Sequence, residues 1–327
     1  MAETLSTEQE EASRLECWRG ALPAVFTLAA DELCGIRAPR PFYKCLPRQS
    51  LLPFVCESVR EHFAPYGPPM GGQMWFESNG VPLRWQLPIG VLFDLLVGTD
   101  SRSAAITLPW QITIHFTSFP SATLLQATLK EAESVLLNAL KESCYLRCGS
   151  AEPAMSLSPT QQQTLARSLA SSDDASYSDA YRPVAEAITA AIGARLNAQP
   201  VRAVPIRVLT SAISWRQQPF TPLRDDGSPT TLHDALTSLL PQHFPRQSID
   251  VSGVGDSIQQ DASGAATVQS GERSSGAYQQ LAAGSSDDSM RRVIVQGVHV
   301  PLDVGLQQLA SQCSHPDGWL YVCVYLT

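Results

Sequence analysis

Residues Met74–Trp85 read MWFESNGVPLRW, and PIGVLFDLL follows from Pro88 to Leu96. Asn79-Gly80 between two apolar stretches is the strongest short-range hairpin signal, because the favoured two-residue turn needs positive φ at both central positions. Pro88 falls at an expected first helical position, where a missing N–H costs nothing, so the spacing predicts a short helix over Pro88–Leu96. Trp110–Phe116 (WQITIHF) alternates as a strand does. Upstream, Ala24–Ala29 (AVFTLA) and Phe42–Leu46 (FYKCL) read as strands, and Ser50–Phe63 as a helix opened by a Ser50 cap before Leu51, Leu52, Val55 and Val59. Strand, strand, helix, two short strands, short helix, strand is the order of the ubiquitin-like β-grasp.

The far end repeats this order. Val204–Leu209 (VPIRVL) is a strand, a connection with Asp225-Asp226-Gly227 follows, and SPTT introduces a helix over Thr231–Leu240. Arg292–Val300 (RVIVQGVHV) gives two short strands around Gly297, Pro301–Leu309 a short helix, and Trp319–Tyr325 (WLYVCVY) a closing strand. The expected fold class is α+β, with two ubiquitin-like β-grasp domains flanking a helix-rich connector.

Within the connector, Leu125, Leu129, Ala132, Leu136 and Leu140 form one helical stripe, which places Lys141 on the opposite, water-facing side. A second helix is expected over Ala180–Leu196, with SLASSDDASYSDA before it as a polar joint. Residues 248–290 hold no phenylalanine or tryptophan, and no leucine before Leu281, so they bury too little apolar surface to offset ordering entropy. The expected boundaries are an acidic N-terminal helix or segment at 1–17, the first ubiquitin-like domain at 18–120, the helix-rich region at 121–198, and the second domain at 199–327 with a disordered insertion at 248–290.

A chain of 327 residues, 44% hydrophobic and 17% charged, suits more than one soluble core. No apolar run approaches the roughly 18 residues a span needs, and the acidic N-terminus lacks signal-peptide features, so a cytoplasmic protein is expected. The formal charge of -8 argues against nucleic acid as main partner and weakens direct binding to anionic lipid. Eight cysteines without a CxxC pair read as reduced thiols.

Few residues point to catalysis. Cys144 as a nucleophile needs a base, and none of the six histidines is near it in sequence. Cys144 and Cys148 offer two metal ligands at helical spacing, and zinc needs more. Phosphate-cradling loops, GxSxG and HExxH are absent, so neither metal nor cofactor is expected, and a binding protein is favoured over an enzyme. Trp75, Trp85, Trp110 and Trp319 lie on or beside strands and read as core. A ubiquitin-like modifier is donated through a flexible C-terminal glycine, whereas this sequence stops at VYLT after a strand; accepting a modifier needs only an exposed lysine. Three lysines occur: Lys44 in a strand, and Lys130 and Lys141 on the polar face of the first connector helix. A thiol enzyme using Cys144 and a ubiquitin-like adaptor without a covalent partner remain the alternatives.

The segments PFYKCLPR, MWFESNGVPLRWQLPIGVLFDLL, LPWQITIHFTSFP, LRDDGSPTTLHDALTSLLP and RVIVQGVHVPLDVGLQQLASQCSHPDGWLYVCV resemble the autophagy protein 5 family. The resemblance implies a non-catalytic scaffold whose lysine, in a motif like M/L-K-E-A/S after the first module, forms an isopeptide bond with the terminal glycine of autophagy protein 12. LNALKESCYLRCG fits that motif at Lys141, the preferred acceptor, and TLKEAES fits it at Lys130, the runner-up. It further implies binding of an autophagy protein 16 helix between the modules, work with the conjugating enzymes of the autophagy modifiers, and promotion of autophagy protein 8 attachment to phosphatidylethanolamine. Peripheral association with the preautophagosomal membrane would come through that complex.

Overall fold

The computed structural model describes residues 7–35, 37–68, 73–97, 108–194, 203–211, 214–245 and 291–326. The insertion expected at 248–290 lies outside the described residues. After helix α1 (Thr7–Arg19), the first module runs β1 (Ala21–Leu28), β2 (Phe42–Pro47), α2 (Leu52–Val55), α3 (Glu57–Phe63), β3 (Trp75–Ser78), β4 (Val81–Pro82), α4 (Ile89–Leu96) and β5 (Trp110–His115). Helices α5 (Leu129–Cys148), α6 (Glu152–Met155), α7 (Pro159–Ser171) and α8 (Asp174–Ala194) follow. The second module comprises β6 (Val204–Ser211), β7 (Ser214–Phe220), α9 (Leu232–Leu239), β8 (Arg291–Val295), β9 (Val298–His299), α10 (Leu306–Cys313) and β10 (Leu320–Leu326).

The two sheets share one topology. Their orders are β2-β1-β5-β3-β4 and β7-β6-β10-β8-β9, and in each the first and last strands of the module pair in parallel. Both hairpins turn through two left-handed residues, Asn79 and Gly80 at φ 50° and 78°, Gln296 and Gly297 at φ 52° and 82°. That turn matches the twist of the strands it joins. The duplicated β-grasp is thus present strand for strand.

Helix α4 explains how the halves meet. Every residue from Ile89 to Leu95 is buried, as expected of a helix that is apolar on all sides. Strand β10 is likewise buried on both faces: Leu320, Val322 and Val324 fill the second module's core, while Tyr321, Cys323 and Tyr325 join the core of the first. The two sheets therefore share α4, and WLYVCVY reads as continuous apolar sequence because neither face meets water.

Several local expectations are corrected. The helix expected over Ser50–Phe63 is broken at Cys56 into α2 and α3, and its N-cap is Leu51 without a side-chain bond rather than Ser50. Lys44 Nζ spans the break, donating to Val55 O at 2.6 Å and Ser58 Oγ at 2.9 Å. The connection after Val204–Leu209 holds an edge strand, β7, whose side chains are nearly all exposed. The helix expected from Pro301 starts at Leu306, because the carbonyls of Leu302 and Val304 accept from His233 N and Leu232 N at the start of α9. Such donors have no partner within their own helix. The polar joint is mostly helical: α7 and α8 are separated only at Ser172 and Asp173, with Ser172 at φ 57° and Asp173 Oδ1 accepting from Ser176 N at 3.0 Å. Leu125 precedes α5 and Leu129 opens it, both exposed, so the buried stripe is Ala132, Leu136 and Leu140, continued by Cys144 and Cys148.

Candidate functional site

Helix α5 carries both candidate amines. It begins with a capping box in which Thr128 Oγ1 accepts from Glu131 N and Glu131 Oε2 accepts from Thr128 N, and it ends at Gly149 with φ 81°. Such caps satisfy the orphan donors and carbonyls of the terminal turns. Lys130 is therefore held in the first turn; it is exposed, and its amine has no hydrogen bond or ion pair with any described residue. On either side of the cap, Leu125 and Leu129 are 66% and 58% exposed. They rim an apolar cavity of about 280 Å³ whose walls include Leu52, Met74, Trp75 and Leu124.

Lys141 lies on the same side of α5 as the exposed Asn138 and Tyr145 and is half-buried, less open than Lys130. The second module docks on a neighbouring face of α5, through other residues. Arg207 Nη2 reaches Glu142 Oε2 at 2.9 Å, Ser143 Oγ donates to Asp317 O at 2.5 Å, and Trp319 Nε1 donates to Ala139 O at 3.1 Å. Lys44 is committed to the α2–α3 break described above.

Cys144 is buried, its Sγ 3.8 Å from that of Cys148 and donating to Ser150 O at 3.2 Å, with no histidine among its bond partners. Burial, followed by the neighbouring Cys148, pushes its thiol up to about 11. That is the environment of an inert structural thiol. Among the described residues, no group of three or more His, Cys, Asp or Glu side chains could hold a metal ion. No helix of the described residues is long and apolar enough to cross a membrane.

Where the modules meet, polar groups interlock. Arg48 Nη2 lies 2.5 Å from Asp94 Oδ2, with both side chains largely buried. Gln49 Nε2 donates to Gln296 Oε1 at 2.9 Å, and His315 bridges Gln49 O at 2.9 Å and Asp317 Oδ1 at 3.0 Å. Burial raises the Asp317 carboxyl, but His315, the Trp319 N–H and the Arg207 guanidinium outweigh it and hold it below the usual range, and Tyr321 Oη donates to Oδ2 at 2.8 Å. The Arg207 guanidinium sits 3.9 Å from the Trp319 ring centroid. Beside this network, a cleft of about 450 Å³ runs between α1, α8, β6 and α10, lined by residues such as Arg14, Trp18, Tyr181, Pro205 and Ala310. Sequence periodicity gave no sign of this cleft, whose walls come from four remote segments.

Comparison with known proteins bears on this architecture. Family models described as "Autophagy protein ATG5, UblA domain", "alpha-helical bundle region" and "UblB domain" match residues 17–116, 129–186 and 203–324. The chain belongs to the autophagy protein 5 family. Autophagy protein 5 of Aspergillus clavatus is 30% identical over 329 residues, covering 94% of each chain. The Oryza sativa subsp. japonica protein is 28% identical over 372 residues, covering 97% of this chain and 94% of that one. The crystal structure of Kluyveromyces marxianus Atg5 superposes with a TM-score of 0.66 at 18% identity, covering 96% of this chain and 99% of that chain, a likeness of fold. The family's pairing of ubiquitin-like domains around a helical bundle is the arrangement seen here.

Proposed function

We propose that this member of the autophagy protein 5 family is a non-catalytic scaffold that accepts the ubiquitin-like autophagy protein 12 on a lysine, and that the acceptor is Lys130 rather than Lys141. The observation carrying this choice is that Lys130 is exposed in the first turn of α5 and bonded to no described residue, whereas Lys141 is half-buried. Leu129-Lys130-Glu131-Ala132 has the L-K-E-A form implied by the resemblance. In the reaction the ε-amine attacks the thioester carbonyl of the modifier's terminal glycine on its conjugating enzyme. The C–S bond breaks, the enzyme's thiol leaves, and the amine nitrogen gives up a proton as the isopeptide forms. An enzyme must reach the amine from solvent, which favours the exposed lysine.

The cleft between α1, α8, β6 and α10 suits an amphipathic helix, the form in which autophagy protein 16 is expected to bind. Trp18, Tyr181 and Pro205 supply apolar surface, and Arg14 and Arg147 supply charge. The indole N–H of Trp18 has no acceptor among the described residues. The conjugate, seated on a membrane through its complex, would then promote attachment of autophagy protein 8 to phosphatidylethanolamine.

Reconstitution with the modifier, its activating and conjugating enzymes and ATP tests the acceptor. Lys130→Arg removes the shifted band and Lys141→Arg retains it. The opposite pattern returns the role to Lys141, and a band absent from the unaltered protein leaves a non-covalent adaptor.

A further inference from the structure

Helix α1 packs on α10, far away in sequence, and its Cys17 meets Cys313 there. Both residues are half-buried, and each thiol is the other's main electrostatic neighbour. The backbones on either side are fixed by one pair of amides: Gln49 Nε2 donates to Cys17 O at 2.8 Å and to Gln296 Oε1 at 2.9 Å, and Gln296 Nε2 donates to Cys313 O at 3.2 Å. Cys17 also lines the cleft between the modules, so a small solute reaches it from solvent.

The pair is polarised. The Cys313 thiol is the main cause that holds the Cys17 thiol down at about 7; burial opposes it, and the Arg48 guanidinium adds to it. Cys17 and burial push Cys313 up. Cys17, near the Arg48 guanidinium and open to the cleft, is the sulfur better placed to ionise. Two buried thiols elsewhere behave differently: burial lifts Cys56 to about 12 and Cys144 to about 11. A thiolate next to a resolving thiol, open to solvent, is the arrangement of a redox-responsive pair.

We propose that Cys17 and Cys313 form a peroxide-responsive disulfide that fastens α1 to the second ubiquitin-like module. The Cys17 thiolate attacks one oxygen of hydrogen peroxide, the O–O bond breaks, and the leaving hydroxide takes up a proton to become water. Cys313 sulfur then attacks the Cys17 sulfenic acid. An S–S bond forms as the S–O bond breaks, and the second hydroxide leaves as water with the proton of Cys313. Two thiols lose two electrons and two protons, and one peroxide is reduced to two waters.

The experiment treats the full chain with one equivalent of hydrogen peroxide, blocks remaining thiols, and maps peptides without reduction. The expected product is a cross-link between the Cys17 and Cys313 peptides, lighter by two hydrogen atoms and reversed by dithiothreitol. Cys17→Ser and Cys313→Ser each abolish it, and a Cys144→Ser/Cys148→Ser double variant retains it. The oxidised unaltered protein should gain roughly 5 °C in Tm, and the Cys17→Ser variant none. Sulfenic or sulfinic acid on Cys17 without the cross-link, a bridge between other cysteines or between two chains, or an unchanged Tm overturns the proposal.

Discussion

Gly297, in the hairpin turn of the second sheet, rests against the guanidinium of Arg48 in the first module: a Cβ at Gly297 would stand 3.1 Å from Arg48 Cζ. Its counterpart Gly80 holds nearly the same φ, 78° against 82°, and a Cβ there would meet nothing within 4 Å. The two glycines thus separate backbone strain from contact between modules. Gly80→Ala should cost about 1–2 kcal/mol, the left-handed penalty alone. Gly297→Ala should cost at least about 1 kcal/mol more, because Arg48 must shift and its pair with Asp94 loosens. Urea midpoints measure both, and equal losses would mean the contact carries no energy.

Arg48→Met isolates that pair. Burial raises the Asp94 carboxyl above its ordinary value, against the opposing pull of Arg48. A group raised in this way favours folding at low pH, and that contribution is lost as pH rises through its folded value. Removing the guanidinium raises Asp94 further, so the destabilisation should reach about 3 kcal/mol near neutrality and shrink in acid. Denaturation curves for both proteins across pH 3–8 check the sign, and a penalty that grows in acid contradicts it.

Much of the fold is legible in the sequence, and the places where it is not have common causes. Asn79-Gly80 marks its hairpin because turn geometry selects those residues locally. Apolar runs on both sides mark α4 and β10 as doubly buried. Strand β7 escapes notice since SWRQQPF lies at an edge with almost every side chain in water, so no alternation is written into it. Residues 302–304 resist helix because α9, about 70 residues earlier, takes their carbonyls. Lys141 is on the polar face of α5 by periodicity, on the same side as the exposed Asn138 and Tyr145, but periodicity does not say how far such a side chain is covered. The lysines are legible in the sequence, but their relative exposure is not.

Acid should open the junction through Asp317. Its carboxyl is held below the ordinary 3.8 by His315 and neighbouring donors despite burial. A depressed group stabilises the fold above its unfolded value, and the stability is lost as pH falls through the folded value. Asp317→Asn should therefore cost roughly 2–3 kcal/mol at pH 7 and flatten the loss of stability below about pH 4. Tryptophan fluorescence in urea at several pH values reports it, since Trp319 is part of the same network.

Lys44 is predicted to be structural. Lys44→Met removes the donor to Val55 O and Ser58 Oγ at the α2–α3 break, which should cost about 1–2 kcal/mol while leaving conjugation intact. Loss of the conjugate in this variant, at a temperature where the fold persists, would make Lys44 part of the acceptor surface.

The N-cap of α5 joins stability to the acceptor. Thr128 and Glu131 exchange hydrogen bonds across the turn that holds Lys130. Thr128→Ala should cost about 1 kcal/mol by thermal or urea unfolding, because the Glu131 N–H loses its acceptor. Fraying of that turn also loosens the position from which Lys130 must attack, so the rate of conjugate formation should fall several-fold in single-turnover assays. Lys130→Arg should do the reverse, leaving stability within about 0.5 kcal/mol, since the amine bonds to no described residue, while ending conjugation altogether. A Thr128→Ala protein that is destabilised but conjugates at the unaltered rate would separate the cap from the acceptor and move the search for the reactive amine away from the first turn.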